Sequence, residues 1–344
     1  MTDFAPELLN WLDDHLRPGD AFRIREDRAW TRWPHRYRQR VEIGLPQLDR
    51  DATAARVVAT TPLVAAIEDT ATALELAVGS NRVASLSAVV VDEAARTVAL
   101  ACAASIRPRN KAWLLPVLGE VLKLQVAVPE LGDPHALAEG FGGIQDLAPH
   151  PLSGPRPEPQ PDMAVVEAYQ RAGLETGRIT RGVYAGSVGD LHAMGIPAVA
   201  HGTTLTVGAD TFNLAGPARI TLENATHPGF GNGLLAVLRA SSAPEAFDPA
   251  WAANELNRRE LWERLDGQSF GAWSYDESGL GHLVFYPNRL IPGAEAERRA
   301  KVVNSVLDEA RRLAWLDQVW GEVAAGPSSR RSSRIAARSG RGEP

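Results

Sequence analysis

The chain has 344 residues, 44% of them hydrophobic and 23% charged, and a formal net charge of −6 at pH 7. At about 150 residues per domain this length predicts two domains, and the composition excludes collagen-like, wholly disordered and disulfide-scaffold proteins. The single cysteine, Cys102, cannot form an internal disulfide. No stretch approaches the roughly 18 apolar residues of a membrane span. The first residues of the chain are acidic, whereas a secretory signal begins with basic residues. We therefore expect a reduced, cytoplasmic protein.

The first half of the chain predicts a helix, short strands, a second helix, a hairpin and a third helix. Leucines at every fourth position mark the first helix, and an apolar stripe at three- and four-residue steps marks the second. Two small, β-branched runs separated by a polar segment are typical of a hairpin. The predicted elements are a helix over 3–16, short strands within 21–61, a helix over 64–78, a hairpin of 86–91 with 97–106, and a helix over 110–125.

The second half predicts the same order of elements, although its residues align poorly with those of the first half. Asp162 and Asp248 are placed to cap helices, and Pro249 suits a first helical turn. The predicted elements are a helix over 162–173, strands including 205–207 and 211–212, strands 220–222 and 234–238 around the loop 227–233, a helix over 249–265, a hairpin of 270–275 with 282–286, and a helix over 294–320.

Two boundaries divide the chain. Alternate prolines between residues 151 and 161 hold the backbone extended and remove donors that regular structure needs. After Ala324 the chain becomes rich in glycine, serine and arginine, which predicts disorder. We expect a module over 1–146, a proline-rich linker over 147–161, a second module over 162–324 and a basic tail over 325–344. Neighbouring antiparallel strands with helices packed on them predict an α+β protein of two tandem two-layer modules.

A family resemblance rests on four strings in the second module and on its closing helix. The strings are 227–238 (HPGFGNGLLAVL), 253–257 (ANELN), 271–275 (GAWSY) and 285–288 (FYPN). They resemble the type III secretion chaperone superfamily, with its CesT-like and YbjN-like members, over residues 160–320, and element order extends the resemblance to 4–142. It implies a non-enzymatic protein, without a cofactor, that holds an extended segment of a client protein. The two modules would form an internal pseudo-dimer, and a further homodimer stays open.

A client segment can lie in an apolar groove or add a strand to a sheet edge. The candidate contacts are Phe230, Asn232, Trp251, Asn254, Trp262, Trp273, Phe285 and Tyr286. The alternative for each aromatic side chain is a place in the core between sheet and helix. Exposure of two or more of them together would favour a binding surface.

The motifs examined for chemistry point away from an enzyme. The glycines of 229–233 lead into a strand, whereas a phosphate loop needs a helix, a lysine and a serine or threonine. The stretch 185–189 lacks the first spacer of a nucleophile elbow, and Cys102 lies in an apolar run that predicts a buried, inert thiol. No two of the eight histidines have helical metal-pair spacing. We expect no catalytic residue, metal or cofactor.

Nucleic-acid binding is the alternative function. Residues 23–40 hold seven arginines interleaved with aromatic residues, a pattern that can neutralise phosphates and stack on bases. Their alternation equally fits strands with one solvated face. The tail could add a weak polyanion contact through Arg330, Arg331, Arg334 and Arg338. It carries a charge of +4, so the rest of the chain carries −10 and opposes a polyanion. Nucleic acid is therefore a possible partner but not the favoured one, and no membrane is expected.

Overall fold

The computed structural model describes residues 3–16, 21–49, 52–83, 85–165, 167–169, 171, 179–208, 218–240 and 248–326. The helices are α1 Ala5–His15, α2 Thr70–Asn81, α3 Lys111–Glu130, α4 Pro134–Gly140, α5 Arg181–Ala193, α6 Pro249–Glu263 and α7 Glu295–Ala324. The strands are β1 Arg23–Arg25, β2 Ala29–Arg32, β3 Gln39–Ile43, β4 Gln47–Asp49, β5 Ala52–Ala65, β6 Ala88–Asp92, β7 Thr97–Ile106, β8 Ile144–Gln145, β9 Ala198–His201, β10 Thr204–Gly208, β11 Ala218–His227, β12 Gly231–Ala240, β13 Gln268–Ser269, β14 Ala272–Asp276 and β15 Gly279–Pro287.

These strands form two antiparallel sheets with helices packed on them, so the predicted α+β class is confirmed. Within the described residues the first sheet has nine strands: β1-β2-β3-β5-β7 run in order, β6 and β13 pair with the far side of β7, and β4 and β8 pair with β5. The second sheet has six strands in the same part of the chain, in the order β9-β10-β11-β12-β15-β14.

The two sheets share one topology. In each, successive strands end at a long strand, β5 or β12, and the chain then passes through a helix, α2 or α6. A hairpin follows, and its second strand, β7 or β15, pairs with that long strand. Its first strand, β6 or β14, pairs on the far side. The repeat of element order expected from the sequence is thus also a repeat of strand order.

The second predicted helix begins later than its apolar stripe suggests. Val64 belongs to β5 and pairs with Val98, and the helix starts only at Thr70. Asp69 fixes this start, because its side chain accepts hydrogen bonds from the backbone of Ala71 and Thr72. Val64 and Ile67 are buried, which explains why their positions fitted an apolar stripe.

The other differences between the predicted and the observed elements are smaller. Helix α5 was not predicted, since glycines at 182, 186 and 189 weaken its pattern. The loop predicted over 227–233 is a turn of 228–230, because β11 and β12 pair as far as His227 and Gly231. The predicted strand 211–212 lies outside the described residues. Of the tail predicted to be disordered over 325–344, Ala325 caps the end of α7, and residues 327–344 lie outside the described part.

Contacts join the two halves of the chain. Helices α2 and α6 pack against each other, and each contacts both hairpin edge strands, β6 and β14. One hydrophobic core contains residues of both halves, and a smaller cluster joins Val58 and Ala101 of the first sheet to Leu261 of α6. The linker packs on the first half, where His150 is buried against Trp33 and the Trp33 indole donates to the Ala148 carbonyl at 2.8 Å.

Candidate functional site

Helix α6 is the element that builds the candidate site, because it lies between the two sheets. Asp248 caps the helix by accepting hydrogen bonds from the backbone of Ala250 and Trp251 at 3.0 and 3.1 Å, and Pro249 occupies its first turn. Its carboxyl end crosses the face of the first sheet at β5 and β7.

Arg56 of β5 anchors that end of α6. Its guanidinium donates to the carbonyls of Leu261 and Glu260 at 2.8 and 2.6 Å and to that of Gly267 at 2.8 Å. It also donates to the hydroxyls of Ser105 and Ser269. Burial, with Arg264 nearby, lowers the pKa of Arg56 to about 9, which leaves the group charged at neutral pH. One buried side chain therefore holds the helix end and the following loop on the first sheet.

A buried ion network fixes the other side of α6. Glu260 accepts from Arg264 at 2.8 Å, from Arg312 of α7 at 2.9 Å and from the Trp273 indole at 2.7 Å. Burial alone would raise the pKa of Glu260, but Arg312 and Arg264 outweigh it and hold that pKa well below its usual range. These charged groups are enclosed and bonded to one another, so their role is to position α6.

The site itself is a groove between the first sheet and α6, which we call the interface groove. Its volume is about 490 Å³. Small side chains form its floor: Thr60 and Pro62 of β5 with Thr97, Ala99 and Ala101 of β7. Helix α3 packs on β5 and β7 as well, with Leu118 and Leu122 in the core. Because side chains alternate along a strand, the floor residues lie on the face of the sheet that α6 partly covers, where Ala101 is buried and the other four are partly exposed.

Charged side chains of both signs form the walls of the interface groove. Arg38 pairs with Asp146 at 3.2 Å, and Arg259 of α6 pairs with Glu263 at 2.7 Å. Arg258 lies 3.8 Å from Asp92, across from the helix. The walls therefore offer donors and acceptors together rather than a field of one sign.

Trp262 stands at the rim of the interface groove, with 46% of its surface exposed. It also lines a neighbouring hollow of about 410 Å³ whose other residues include Glu26, Arg40 and Glu42. The two depressions thus share one exposed indole.

The structure separates the predicted contact residues. Trp262 is exposed in the interface groove, and Asn232 is partly exposed and accepts from the Thr226 hydroxyl at 2.9 Å. Phe230 is buried at the edge of a different, apolar cavity of about 300 Å³. The remaining ones are buried in the core: Trp251, Asn254, Trp273, Phe285 and Tyr286. A ligand in the groove would therefore reach Trp262 but not the others.

The arginine-rich stretch 23–40 also looks different in the structure. Its aromatic residues Trp30, Trp33 and Tyr37 are buried. Six of its seven arginines form ion pairs with carboxylates: Arg23 and Arg25 with Asp13, Arg28 with Asp3, Arg36 with Glu130, Arg38 with Asp146, and Arg40 with Glu26 and Glu42. The stretch therefore has little free charge for phosphates. Arg330, Arg331, Arg334 and Arg338 of the tail lie outside the described residues.

The sequence motifs that resembled phosphate-binding or nucleophilic sites have structural roles in the fold. Gly231 has φ +68°, and a Cβ on Gly233 would lie 2.4 Å from the Tyr286 carbonyl, so these glycines serve a turn and a close approach of strands. Ser187 is buried inside α5, where its hydroxyl donates to the Val183 carbonyl. Burial raises the pKa of the Cys102 thiol to about 12. Among the described residues no cluster of three or more metal-ligating side chains occurs.

Helix α3 is long and apolar enough to cross a membrane by length and composition, but 61% of its apolar window is buried inside the fold. No family model, curated protein or solved structure matches this chain.

Proposed function

We propose that this protein binds an extended segment of a partner protein in the interface groove, without carrying out a chemical reaction. The observation that carries the proposal is the groove itself: a floor of small side chains on a sheet, walls of mixed charge and the exposed Trp262 at the rim. Grooves hold peptide segments by side-chain anchors in pockets, and exposed tryptophans are frequent anchors of interfaces.

The geometry favours capture on the sheet face over strand addition at the hairpin edges. The outer backbone groups of Val89 and Val91 on β6 are already bonded to the side chains of Asn81 and Asn254. Asn257 does the same for Trp273 on β14. An incoming strand would have to displace these amides, so both hairpin edges are protected.

The charges of the groove fit a peptide better than a nucleic acid. Its four acidic wall residues outnumber its three arginines, so the walls have no net positive charge to attract a phosphate backbone. The charge of −10 on the chain outside the tail opposes such a backbone as well. A peptide with basic and acidic side chains could pair with both kinds of wall residue. Such binding is consistent with the resemblance to the type III secretion chaperone and YbjN-like superfamily.

The test is selection from a library of random peptides of about twelve residues, which span about 40 Å when extended. We expect the full-length protein to enrich peptides whose affinity falls at least about tenfold on Trp262→Ala, since truncation of a tryptophan hot spot costs about 2 kcal/mol or more. Trp113→Ala is the matched control, because Trp113 is exposed but lies in a different cavity. Failure to enrich peptides, or equal binding by the Trp262 variant, would reject the proposal.

A further inference from the structure

A second cavity lies where the start of α3 meets the loop before β13 and the middle of α7. Its volume is about 340 Å³, and the residues that matter most in it are Arg107, Arg109, Trp113, Asp266, Asp308 and Arg311. We call it the arginine pocket. It is separate from the interface groove, with which it shares no lining residue.

Two of its arginines have no partner in the part of the chain that the structure describes. Arg109 and Arg311 are exposed, and neither makes a hydrogen bond or an ion pair there. This contrasts with the stretch 23–40, where six of the seven arginines are ion-paired. The third arginine, Arg107, is held in the wall by a hydrogen bond to the Leu265 carbonyl at 2.9 Å.

The two carboxylates of the arginine pocket pair with buried arginines that Glu260 and Glu309 share. Asp308 pairs with Arg264 at 2.8 Å and lies 3.6 Å from Arg312, and Asp266 pairs with Arg264 at 3.2 Å. The lining residues themselves are three arginines against two aspartates, so the pocket carries a net positive charge. The chain outside the tail carries a charge of −10, so this pocket is a positive patch on a negatively charged protein. Such a patch attracts a small anion.

Trp113 adds a second chemical requirement. It lies in the first turn of α3, lines the same pocket as Arg109, and has 55% of its surface exposed. An indole face in a charged pocket stacks on a planar ring, while guanidinium groups bind phosphate oxygens in pairs. Asp266 and Asp308 can in addition accept hydrogen bonds from hydroxyl or amino groups of a ligand.

We propose that the arginine pocket binds a small phosphate ester carrying an aromatic ring, of the kind that a nucleoside monophosphate represents. The volume of about 340 Å³ suits a single such unit, since ligand pockets commonly measure 300–1,000 Å³. An extended polynucleotide would meet the acidic body beyond the pocket. This site goes beyond the proposed peptide binding and does not depend on it.

Binding at this place would also join the two halves of the chain. Arg107, Arg109 and Trp113 come from the first half, whereas Asp266, Asp308 and Arg311 come from the second. A ligand that contacts both binds the folded protein alone, so it raises the unfolding temperature by mass action.

The experiment is calorimetric titration of the full-length protein with adenosine, guanosine, cytidine and uridine monophosphates. Adenosine and inorganic phosphate serve as probes that lack one of the two groups. We expect at least one monophosphate to bind about tenfold or more tightly than either partial probe, because charge-assisted bidentate contacts and stacking both contribute. Saturable binding should be accompanied by a higher unfolding temperature.

Variants locate the site. Arg311→Glu and Arg109→Glu should each weaken monophosphate binding about tenfold or more, and Trp113→Ala should weaken it while leaving affinity for inorganic phosphate unchanged. Arg219→Glu is the matched control, since Arg219 is an exposed arginine of β11 and the substitution changes the net charge equally. No saturable binding of any monophosphate, or equal loss in the Arg219 variant, overturns the inference. If no monophosphate binds while the Trp113→Ala variant still binds the selected peptides, this inference fails and the proposed function stands.

Discussion

The side-chain amide of Asn254 bonds to both backbone groups of Val91, which lies in the other half of the chain. Its Oδ1 accepts the Val91 N–H at 2.8 Å and its Nδ2 donates to the Val91 carbonyl at 2.9 Å. The amide thus behaves as one residue of an added strand at the edge of the first sheet. Asn254 was a candidate for client contact, and its buried place gives it this structural role instead.

Replacing Asn254 with aspartate should destabilise the protein. The carboxylate keeps an acceptor for the Val91 N–H but loses the donor and faces the Val91 carbonyl, so we expect the free energy of unfolding to fall by about 1–3 kcal/mol or more. Urea denaturation followed by circular dichroism measures this. Asn232→Asp is the control, because Asn232 is partly exposed and should change stability by under about 0.5 kcal/mol. Equal midpoints for the two variants would contradict the assigned role.

Removing the Arg56 guanidinium should cost more. Arg56→Met leaves the carbonyls of Glu260, Leu261 and Gly267 without their donor, and we expect a loss of about 3 kcal/mol or more, because each unsatisfied carbonyl costs about 1–3 kcal/mol. Arg40→Met removes exposed ion pairs with Glu26 and Glu42 and should cost under about 1 kcal/mol. Chemical denaturation measures the free energy of unfolding of both variants. If they are equally stable, the anchor of α6 lies elsewhere.

The buried carboxylate of Glu260 should make the free energy of unfolding fall at low pH. Its pKa in the folded protein is depressed by Arg312 and Arg264, against the effect of burial, from an ordinary value of 4.5. The stabilisation is therefore present above about pH 4.5 and is lost as the pH falls below it, since the unfolded chain then binds more protons. Unfolding free energies measured between pH 6 and pH 3 should fall more steeply for the wild type than for Glu260→Gln. Parallel slopes would show that Glu260 is not the responsible group.

Cys102 should be unreactive in the folded protein. It is fully buried, and burial raises the pKa of its thiol to about 12, so almost no thiolate exists near pH 8. A thiol-specific chromogenic disulfide should give no rapid reaction with the native chain and one equivalent after denaturation. Rapid native labelling would mean that β7 opens readily to solvent.

Much of the fold follows from periodicity, but the candidate site does not. Trp251 and Trp262 of α6 are eleven residues apart, about three helical turns, and so point to nearly the same side. One nevertheless lies in the core and the other at the rim of the groove. Their neighbours come from distant parts of the chain, and helical spacing carries no information about those. The same holds for Arg56, whose acceptors on α6 lie about two hundred residues further on.

The two similar halves belong to one polypeptide, so the interface groove stays assembled when the protein is diluted. In a dimer of separate subunits, contacts such as those of Arg56 and Asn254 would dissociate once the concentration fell below the dissociation constant. Here they are intramolecular, so their local concentration is set by the chain and not by expression level. A cell with very few copies would still contain assembled grooves. Each copy presents Trp262 once, so a peptide that requires this residue should bind with a stoichiometry of one per chain.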